Sequence, residues 1–372
     1  MSNQDNIKVS VIMPIYNAYS YLRPAMDSVL DQTLTELEVI CVDDGSTDRS
    51  LDILKEYQGR DSRVRILTEN NAGPSWARNK GLARARCEYV IFLDADDFFE
   101  LDLLEKLYML AERDNLDIAI CEYDLYNDRS STFEKKIKAE HEEIFQEGEI
   151  ISKSTHPNQI FQCTTNYVWN KFFRRSFLLS KELSFHPVLR VFEDVYFVMT
   201  SLAMADRIGK TFDCLIHHRV YSEQSKNRFF RKYYHQVPEL YEKIKEFLMH
   251  NGMYLPLLRS FLNLSASRCF KIYNLLWIDV KGDFWDNLHN SYAERLGWEK
   301  ALGEEIESAD VREFVGDILL HDHKQHLKHT EKGEKTAIED VPGKLSFLKI
   351  RKKIADFFLW IFGKKNNNDE KK

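Results

Sequence analysis

Residues 89–98, YVIFLDADDF, place three carboxylates directly after an apolar run that is typical of a buried strand. Asp94, Asp96 and Asp97 repel one another at this spacing, and each carboxyl resists ionisation beside its neighbours. Asp94 and Asp96 point to the same side of an extended chain, because side chains alternate along a strand. A divalent cation would remove the repulsion, and hard oxygen ligands suit Mg²⁺ or Mn²⁺. The pattern favours a site for a metal and substrate phosphates, although a solvated acidic loop also explains it.

A second pair of acids follows the apolar segment 37–42. Asp43 and Asp44 precede a glycine, and an Asp-Gly turn uses acidic side chains for local hydrogen bonds. Asp48 fits that local explanation, because it is a good N-cap for the helix that follows. Asp43 and Asp44 fit it less well, since they come directly after the strand. A carboxylate there is able to accept hydrogen bonds from a nucleobase or a ribose.

The segments that carry these acids alternate between strand and helix patterns. Apolar, β-branched runs predict strands at 63–67 and within 8–17, 37–50 and 88–97, and apolar spacing predicts helices at 20–33, 49–57 and 73–86. Strands that alternate with helices indicate an α/β fold with a mostly parallel sheet. Ligands of such sheets bind beyond the carboxyl ends of the strands, so we expect the acidic strand ends to share one site.

The second half of the chain has a different pattern. We predict a strand at 117–126, helices at 172–183 and 193–205, and a strand or hairpin at 207–222. From 228 to 330 the apolar spacing is helical throughout. A polar stretch at 331–344 indicates a linker to the C-terminal tail.

Composition limits the function classes. The chain has 372 residues, 44% of them apolar, and a net charge of −7, which does not favour nucleic-acid binding. Its six cysteines form no CxxC pair, which indicates reduced thiols rather than disulfides or zinc ligands. The first ten residues show no signal-peptide pattern, and no run of about 18 apolar residues predicts a membrane span.

Four blocks of the sequence together resemble the family 2 glycosyltransferases, which are inverting, nucleotide-sugar-dependent enzymes with the Rossmann-like GT-A fold. The resemblance covers roughly residues 7 to 225. The blocks are VSVIMPIYNAYSYLRPAMDSVLDQT, EVICVDDGSTDRSLDIL, NNAGPSWARNKGL and EYVIFLDADD. It implies a catalytic domain at 1–225, a helical region at 226–335, and a linker with a tail at 336–372.

The resemblance implies roles for the acidic strand ends. Pro14 and Tyr16 match the loop that packs around the nucleoside, and Asp44 matches the acid that recognises the base, with Asp43 beside it. The family's DxD pair corresponds to Asp94 and Asp96. Asp96 would bind Mn²⁺ or Mg²⁺, and Asp94 would contact the ribose or a metal-bound water. Such a cation bridges the donor's two phosphates and stabilises the departing diphosphate.

Two later motifs match the family's acceptor side. In 192–197, FEDVYF, Asp194 would be the general base beside Glu193. A base is required because a hydroxyl is a poor nucleophile at neutral pH, although both acids would also stabilise a helix N-terminus. In 168–178, VWNKFFRRSFL, the match includes Trp169 and Asn170. Trp169 would stack on the acceptor sugar or lie in the core.

The segment 217–227 matches the part of the family that closes over the diphosphate. His217, His218 and Arg219 are its candidates for that contact. The Gln-x-x-Arg-Trp motif of processive synthases is not found in the sequence, which argues against a polymerising enzyme.

The tail predicts a membrane contact. Residues 344–363 form a basic amphipathic helix pattern, suited to an anionic membrane surface or to packing on the protein or a second copy. A surface contact fits a lipid-linked glycan acceptor and a cytoplasmic enzyme at the inner face of the membrane. The helical region would shape the acceptor side or an oligomer contact.

The sequence thus predicts a hexosyltransferase that moves one sugar from a nucleoside-diphosphate sugar, with UDP favoured, to a bacterial surface glycan. The glycan class follows from the resemblance alone. One alternative is an inactive glycan-binding or scaffold protein. A sugar nucleotidyltransferase is a weaker alternative, because no Gly-rich loop with the needed Arg and Lys follows the first strand.

Overall fold

A computed structural model describes residues 7–134, 142–189, 191–220, 232–300 and 305–328. Within these ranges, nine strands form one sheet in the order β3-β2-β1-β4-β8-β6-β9-β5, with β7 paired to β6. The strands are β1 Val9–Ile15, β2 Leu37–Asp43, β3 Val64–Thr68, β4 Tyr89–Phe92, β5 Phe98–Phe99, β6 Ile118–Asn127, β7 Thr132–Glu134, β8 Lys171–Arg174 and β9 Ile208–Val220.

The α-helices whose two ends are both described connect or follow the strands. They are α1 Leu22–Leu30, α2 Ser50–Arg60, α3 Pro74–Arg84, α4 Leu103–Arg113, α5 Arg175–Ser180, α6 Glu193–Met204, α7 Gln236–His250, α8 Leu258–Leu275, α9 Ile278–Asn287, α10 Ala293–Leu296 and α11 Ala309–Leu320. A π-helical segment at Leu288–Tyr292 joins α9 to α10.

The first four strands confirm the predicted α/β arrangement. β2, β1 and β4 run parallel, with Ile15 opposite Asp43 and Ile12 opposite Phe92. All residues of β2 and β4 are buried, as expected for strands covered on both faces. The carboxyl ends of these strands therefore meet at one edge of the sheet, where the acidic residues follow.

The predicted helix at 172–183 is wrong in its first part. Residues 171–174 form β8, which runs antiparallel between β4 and β6, and only 175–180 are helical. Phe172 stacks on Tyr89 at a ring distance of 4.8 Å, while Phe173 packs edge-on against Phe92. β8 has only two apolar residues, which stand side by side between Lys171 and Arg174, and so short a pattern does not distinguish a strand from a helix.

The described residues beyond 228 are mostly helical, which confirms the prediction made from the apolar spacing. One core cluster runs without a break from strand residues such as Ile12 to helix residues such as Trp298 and Ile318. The helices therefore pack on the sheet as part of the same hydrophobic core. In the described ranges no helix is long and apolar enough to cross a bilayer. The predicted linker and tail at 336–372, with the membrane-contact segment 344–363, lie outside the described residues.

The close packing of α3 on β1 depends on a glycine. A Cβ added at Gly81 would collide with the side chain of Ile12, which is fully buried in β1. We expect Gly81→Ala to lower the free energy of unfolding by about 1–3 kcal/mol, because α3 must move away from the sheet. Urea unfolding measures the change.

Gly59→Ala in α2 is the matched control. A Cβ at Gly59 would meet no atom within 4 Å. This substitution should be neutral or stabilise by up to about 1 kcal/mol, since alanine is the better helix former. Equal losses in both variants would contradict the packing constraint at Gly81.

Candidate active site

A cavity of about 470 Å³ lies at the carboxyl edge of the parallel strands. It brings together five of the residues singled out from the sequence, namely Pro14, Tyr16, Asp44, Asp94 and Asp96. We call it the first cavity. Tyr16 is half exposed there, so its ring is available to a ligand. The strand ends thus form one site, as the α/β pattern predicts.

Asp44 and Asp43 have different positions. The two carboxylate oxygens of Asp44 accept hydrogen bonds from the backbone N–H groups of Ala72 and Gly73, each at 2.8 Å. Asp44 therefore fixes the loop before α3 while also lining the cavity. Asp43 is buried, accepts a long hydrogen bond of 3.4 Å from the Ser46 N–H, and does not line the cavity. A direct contact between Asp43 and a ligand is not favoured by this position.

A buried arginine that the sequence analysis missed joins the two acidic motifs. Arg78 of α3 donates to Asp94 Oδ1 through Nη2 and to Glu193 Oε1 through Nη1, both at 2.7 Å. Its side chain is 6% exposed, and its Nε makes no hydrogen bond within the described part of the chain. The signal was present, because the block GPSWARNKGL contains Arg78 and the acids required a counter-charge.

Asp97, the third acid of the strand end, is held by protein groups alone. Its carboxylate is buried and accepts from the His218 imidazole at 3.0 Å and from the Arg219 N–H at 2.8 Å. Burial raises the pKa of Asp97, and the nearby His218 opposes that rise. The sequence alone suggested a cation between the carboxylates, whereas Arg78 and His218 supply positive charge to Asp94 and Asp97.

Two acids of the first cavity, Asp94 and Asp96, have the oxygen ligands that suit Mg²⁺ or Mn²⁺. Asp96 lines the first cavity, and Arg78 occupies one oxygen of Asp94, leaving its other oxygen. The described residues contain no group of three or more His, Cys, Asp or Glu side chains arranged around a metal position. Two carboxylates are the usual protein share for Mg²⁺, which takes its other ligands from phosphates and water.

Arg219 positions Asp96. Its Nε donates to the Asp96 backbone oxygen at 2.9 Å, and its guanidinium lies over the rings of Tyr21 and Tyr126, each at 5.1 Å. The side chain also pairs with Asp128. Arg219 is buried and lines neither of the cavities described here. The predicted contact of Arg219 with a diphosphate is therefore less favoured than a role in holding the acidic strand end.

His217 is held away from the first cavity. Its Nδ1 bonds Asp124 at 2.7 Å and its Nε2 bonds Glu100 at 2.8 Å, so both ring nitrogens have carboxylate partners. The ring also packs on Phe98 at 4.7 Å. The structure thus places His217 in a buried polar network, and His217 does not line the first cavity.

A second cavity, of about 330 Å³, lies between the sheet and the helical region. Asp194 lines it from the first turn of α6, and Phe192 before it has a left-handed backbone with φ of 59°. The other walls combine the loop 164–167 with residues of α7 and α8. We call it the second cavity.

The environment of Asp194 raises its pKa to about 7. Burial is the largest cause, repulsion from Glu193 adds to it, and Arg78 opposes it. Repulsion from Asp94 also contributes, which shows that the acids of the two cavities are within electrostatic range. A carboxylate with a pKa near neutrality is able to accept a proton from a hydroxyl and later release it.

The Trp-Asn-Lys segment supports the second cavity from behind. Trp169 is 2% exposed and stacks on Tyr167 at 4.7 Å and on His218 at 5.1 Å. Asn170 is buried and donates to the Cys121 oxygen at 3.0 Å. Neither residue lines a cavity described here, so stacking of a sugar on Trp169 is not favoured. Tyr167 lines the second cavity and presents its ring there instead.

Lys171 is the anchor of this loop. Its Nζ donates to the backbone oxygens of Thr165 and Tyr167 at 2.8 and 2.6 Å, and to Asn170 Oδ1 at 2.8 Å. Burial lowers the pKa of Lys171 to about 7. The charged form is thus kept only by these acceptors and by the acids around it.

We expect Lys171→Met to lower the free energy of unfolding by about 2–4 kcal/mol, because buried acceptors lose their donor. Urea unfolding measures this loss. Lys243→Met is the control, since Lys243 pairs with Glu246 on the exposed face of α7 and such pairs contribute about 0–1 kcal/mol. Similar small losses in both variants would show that Lys171 does not anchor the loop.

Comparison with known proteins agrees with this arrangement. The model of the family "Glycosyl transferase family 2" matches residues 10–179. EpsH of Bacillus subtilis, named as a glycosyltransferase, is 31% identical over 267 residues, covering 70% of this chain and 76% of EpsH. YibD of Escherichia coli, named as an uncharacterized glycosyltransferase, is 31% identical over 257 residues, covering 66% of this chain and 72% of YibD.

Solved structures show the same fold. The crystal structure of S. aureus TarS 1–349 in complex with UDP superposes with a TM-score of 0.64 at 21% identity, covering 84% of this chain and 86% of that one. At that identity the likeness establishes the fold only. The coverage of EpsH at 31% identity establishes the family. The chain belongs to glycosyltransferase family 2 and is a transferase with the GT-A fold.

Proposed function

We propose that this protein transfers one sugar from a nucleoside-diphosphate sugar to a glycan hydroxyl, with inversion, in the synthesis of a bacterial surface polysaccharide. The observation that carries the proposal is the bridge from Asp94 through Arg78 to Glu193. It holds a cavity lined by acids next to a second cavity that contains Asp194. A donor and an acceptor bound in these cavities would meet beside Arg78.

The first cavity suits the nucleotide part of the donor. Tyr16 offers an exposed ring and Asp44 a carboxylate at the cavity wall, while Asp96 and the second oxygen of Asp94 are the metal-binding candidates. A bound Mg²⁺ or Mn²⁺ would neutralise the diphosphate and stabilise it as a leaving group. UDP is the favoured nucleotide, because the structures of TarS similar to this one include complexes with UDP and with UDP-GlcNAc.

The second cavity suits the acceptor. In the proposed reaction, Asp194 takes the proton of an acceptor hydroxyl as that oxygen forms a bond to the anomeric carbon. The bond from the anomeric carbon to the diphosphate oxygen breaks with its electron pair, and the nucleoside diphosphate leaves. Attack from the side opposite the leaving group inverts the configuration. Arg78 keeps Glu193 and Asp94 in place during this step and is not itself the base.

Nucleotide binding tests the donor site. We expect calorimetry to show binding of one nucleoside diphosphate among UDP, GDP and TDP, with CMP for comparison, and to show that binding needs Mn²⁺. Asp96→Ala should lose the Mn²⁺-dependent binding of the nucleotide, because the variant lacks the carboxylate ligand. Asp52→Ala is a control, since Asp52 is exposed on α2, pairs with Arg49 and does not line the first cavity. A folded wild type that binds none of these nucleotides would favour an inactive glycan-binding protein.

The pH dependence of transfer tests the base. Because Asp194 acts only when ionised, kcat should fall as the pH drops below about 7, where its carboxyl gains a proton. Asp194→Asn should lower kcat by about 10²–10⁴-fold and leave the affinity for the nucleotide unchanged. Release of the nucleoside diphosphate measures both. A pH profile that is the same in Asp194→Asn and wild type would exclude Asp194 as the base.

A further inference from the structure

The walls of the second cavity hold polar groups that the proposed reaction does not use. The loop 164–167 supplies Thr165 and Asn166, and α8 supplies Arg268 and Lys271. We propose that this cavity binds an acceptor that carries a phosphate near the accepting hydroxyl, with Arg268 and Lys271 holding the phosphate. This inference rests on the proposed function, since it assigns the acceptor class of the same site.

Two buried polar atoms of the loop are without partners in the described part of the chain. These are Thr165 Oγ1 and Asn166 Nδ2, and both residues line the cavity. A buried polar group without a hydrogen bond loses its water without a replacement partner, so such groups are rare unless a ligand or water satisfies them. A hydroxyl and an amide N–H₂ at this position suit the oxygens of a sugar or polyol.

Two of the three charged residues that line the cavity, among those described, are cations. Among the described residues that line the cavity, Asp194 is acidic, whereas Arg268 and Lys271 are positively charged. The two cations are three positions apart on α8, which places them on the same face of the helix. Burial raises the pKa of Tyr167 and the charge of Arg268 opposes this rise, so Arg268 lies within electrostatic range of the aromatic wall.

The chemistry of these cations selects phosphate. A guanidinium presents paired N–H groups that match two phosphate oxygens, and a lysine beside it adds a point charge. Both side chains are exposed, so they lie toward the solvent side of the cavity, while Asp194 is partly buried. An acceptor would therefore place its phosphate toward solvent and its hydroxyl toward Asp194. Phosphodiester-linked polyols or sugars and lipid-diphosphate-linked sugars both have this arrangement.

Calorimetry on the full chain, with the first cavity saturated by UDP and Mn²⁺, tests the inference. The probes are glycerol 3-phosphate, glycerol and geranyl diphosphate. We expect the two phosphate compounds to bind and glycerol to bind at least tenfold more weakly. Arg268→Gln and Lys271→Gln should each weaken phosphate binding by about tenfold to a hundredfold, the usual effect of losing a charged hydrogen bond. Tighter binding of geranyl diphosphate would assign a lipid-linked acceptor, and tighter binding of glycerol 3-phosphate a phosphodiester polymer.

Arg259→Gln is the matched control. Arg259 lies on the same helix, pairs with Glu307 and does not line the second cavity, so this variant should bind the phosphate compounds as the wild type does. Phosphate binding that equals glycerol binding, or that is unchanged in Arg268→Gln and Lys271→Gln, would overturn the inference. UDP binding should be the same in every variant. A wild type that does not bind UDP would instead overturn the proposed function. The phosphate titrations would then be carried out without UDP.

Discussion

The ion pairs of Arg78 are the interaction on which the rest of the site depends. A guanidinium buried between Asp94 and Glu193 compensates charges that would otherwise repel across the boundary of the two cavities. Breaking such a pair leaves an uncompensated buried charge, which is far more costly than a surface pair. Arg78 reaches this position because α3 packs closely on β1 at Gly81 and because Asp44 fixes the loop before α3.

In the proposed reaction, the donor side and the acceptor side of the Arg78 bridge need carboxyl groups with different pKa values. The donor side requires ionised carboxylates, and Arg78 and His218 compensate two of the three acids that follow β4. The acceptor side of the proposed reaction requires a base whose pKa is close to neutrality, and burial beside Glu193 gives the Asp194 carboxyl such a pKa. Arg78 limits how far the pKa of Asp194 rises. Arg78 therefore acts on both sides, because it pairs with Asp94 and opposes the rise in the pKa of Asp194. The position of α3, which carries Arg78, thus influences the protonation of Asp194 on α6.

The sequence predicted most of the sheet and the meeting of its acidic ends. This succeeded because apolar runs that end in acids are local patterns, and parallel strands bring their carboxyl ends together by topology. The strand at 171–174 was missed, because its two adjacent apolar residues give it no alternation. Arg78 was missed, since nothing in a helix pattern shows that one side chain reaches two acids far apart in the chain. The roles considered for Trp169 and His217 are disfavoured for the same reason, because their partners are set by tertiary packing.

The position of the second cavity has an evolutionary consequence. Asp194, the proposed base, belongs to α6, and one wall belongs to α7 and α8; all three helices lie beyond the residues matched by the family model. Substitutions on α7 and α8 would alter the surface proposed to meet the acceptor without touching the acidic strand ends or Arg78. New acceptor preferences can therefore arise in this architecture while the donor chemistry is inherited unchanged.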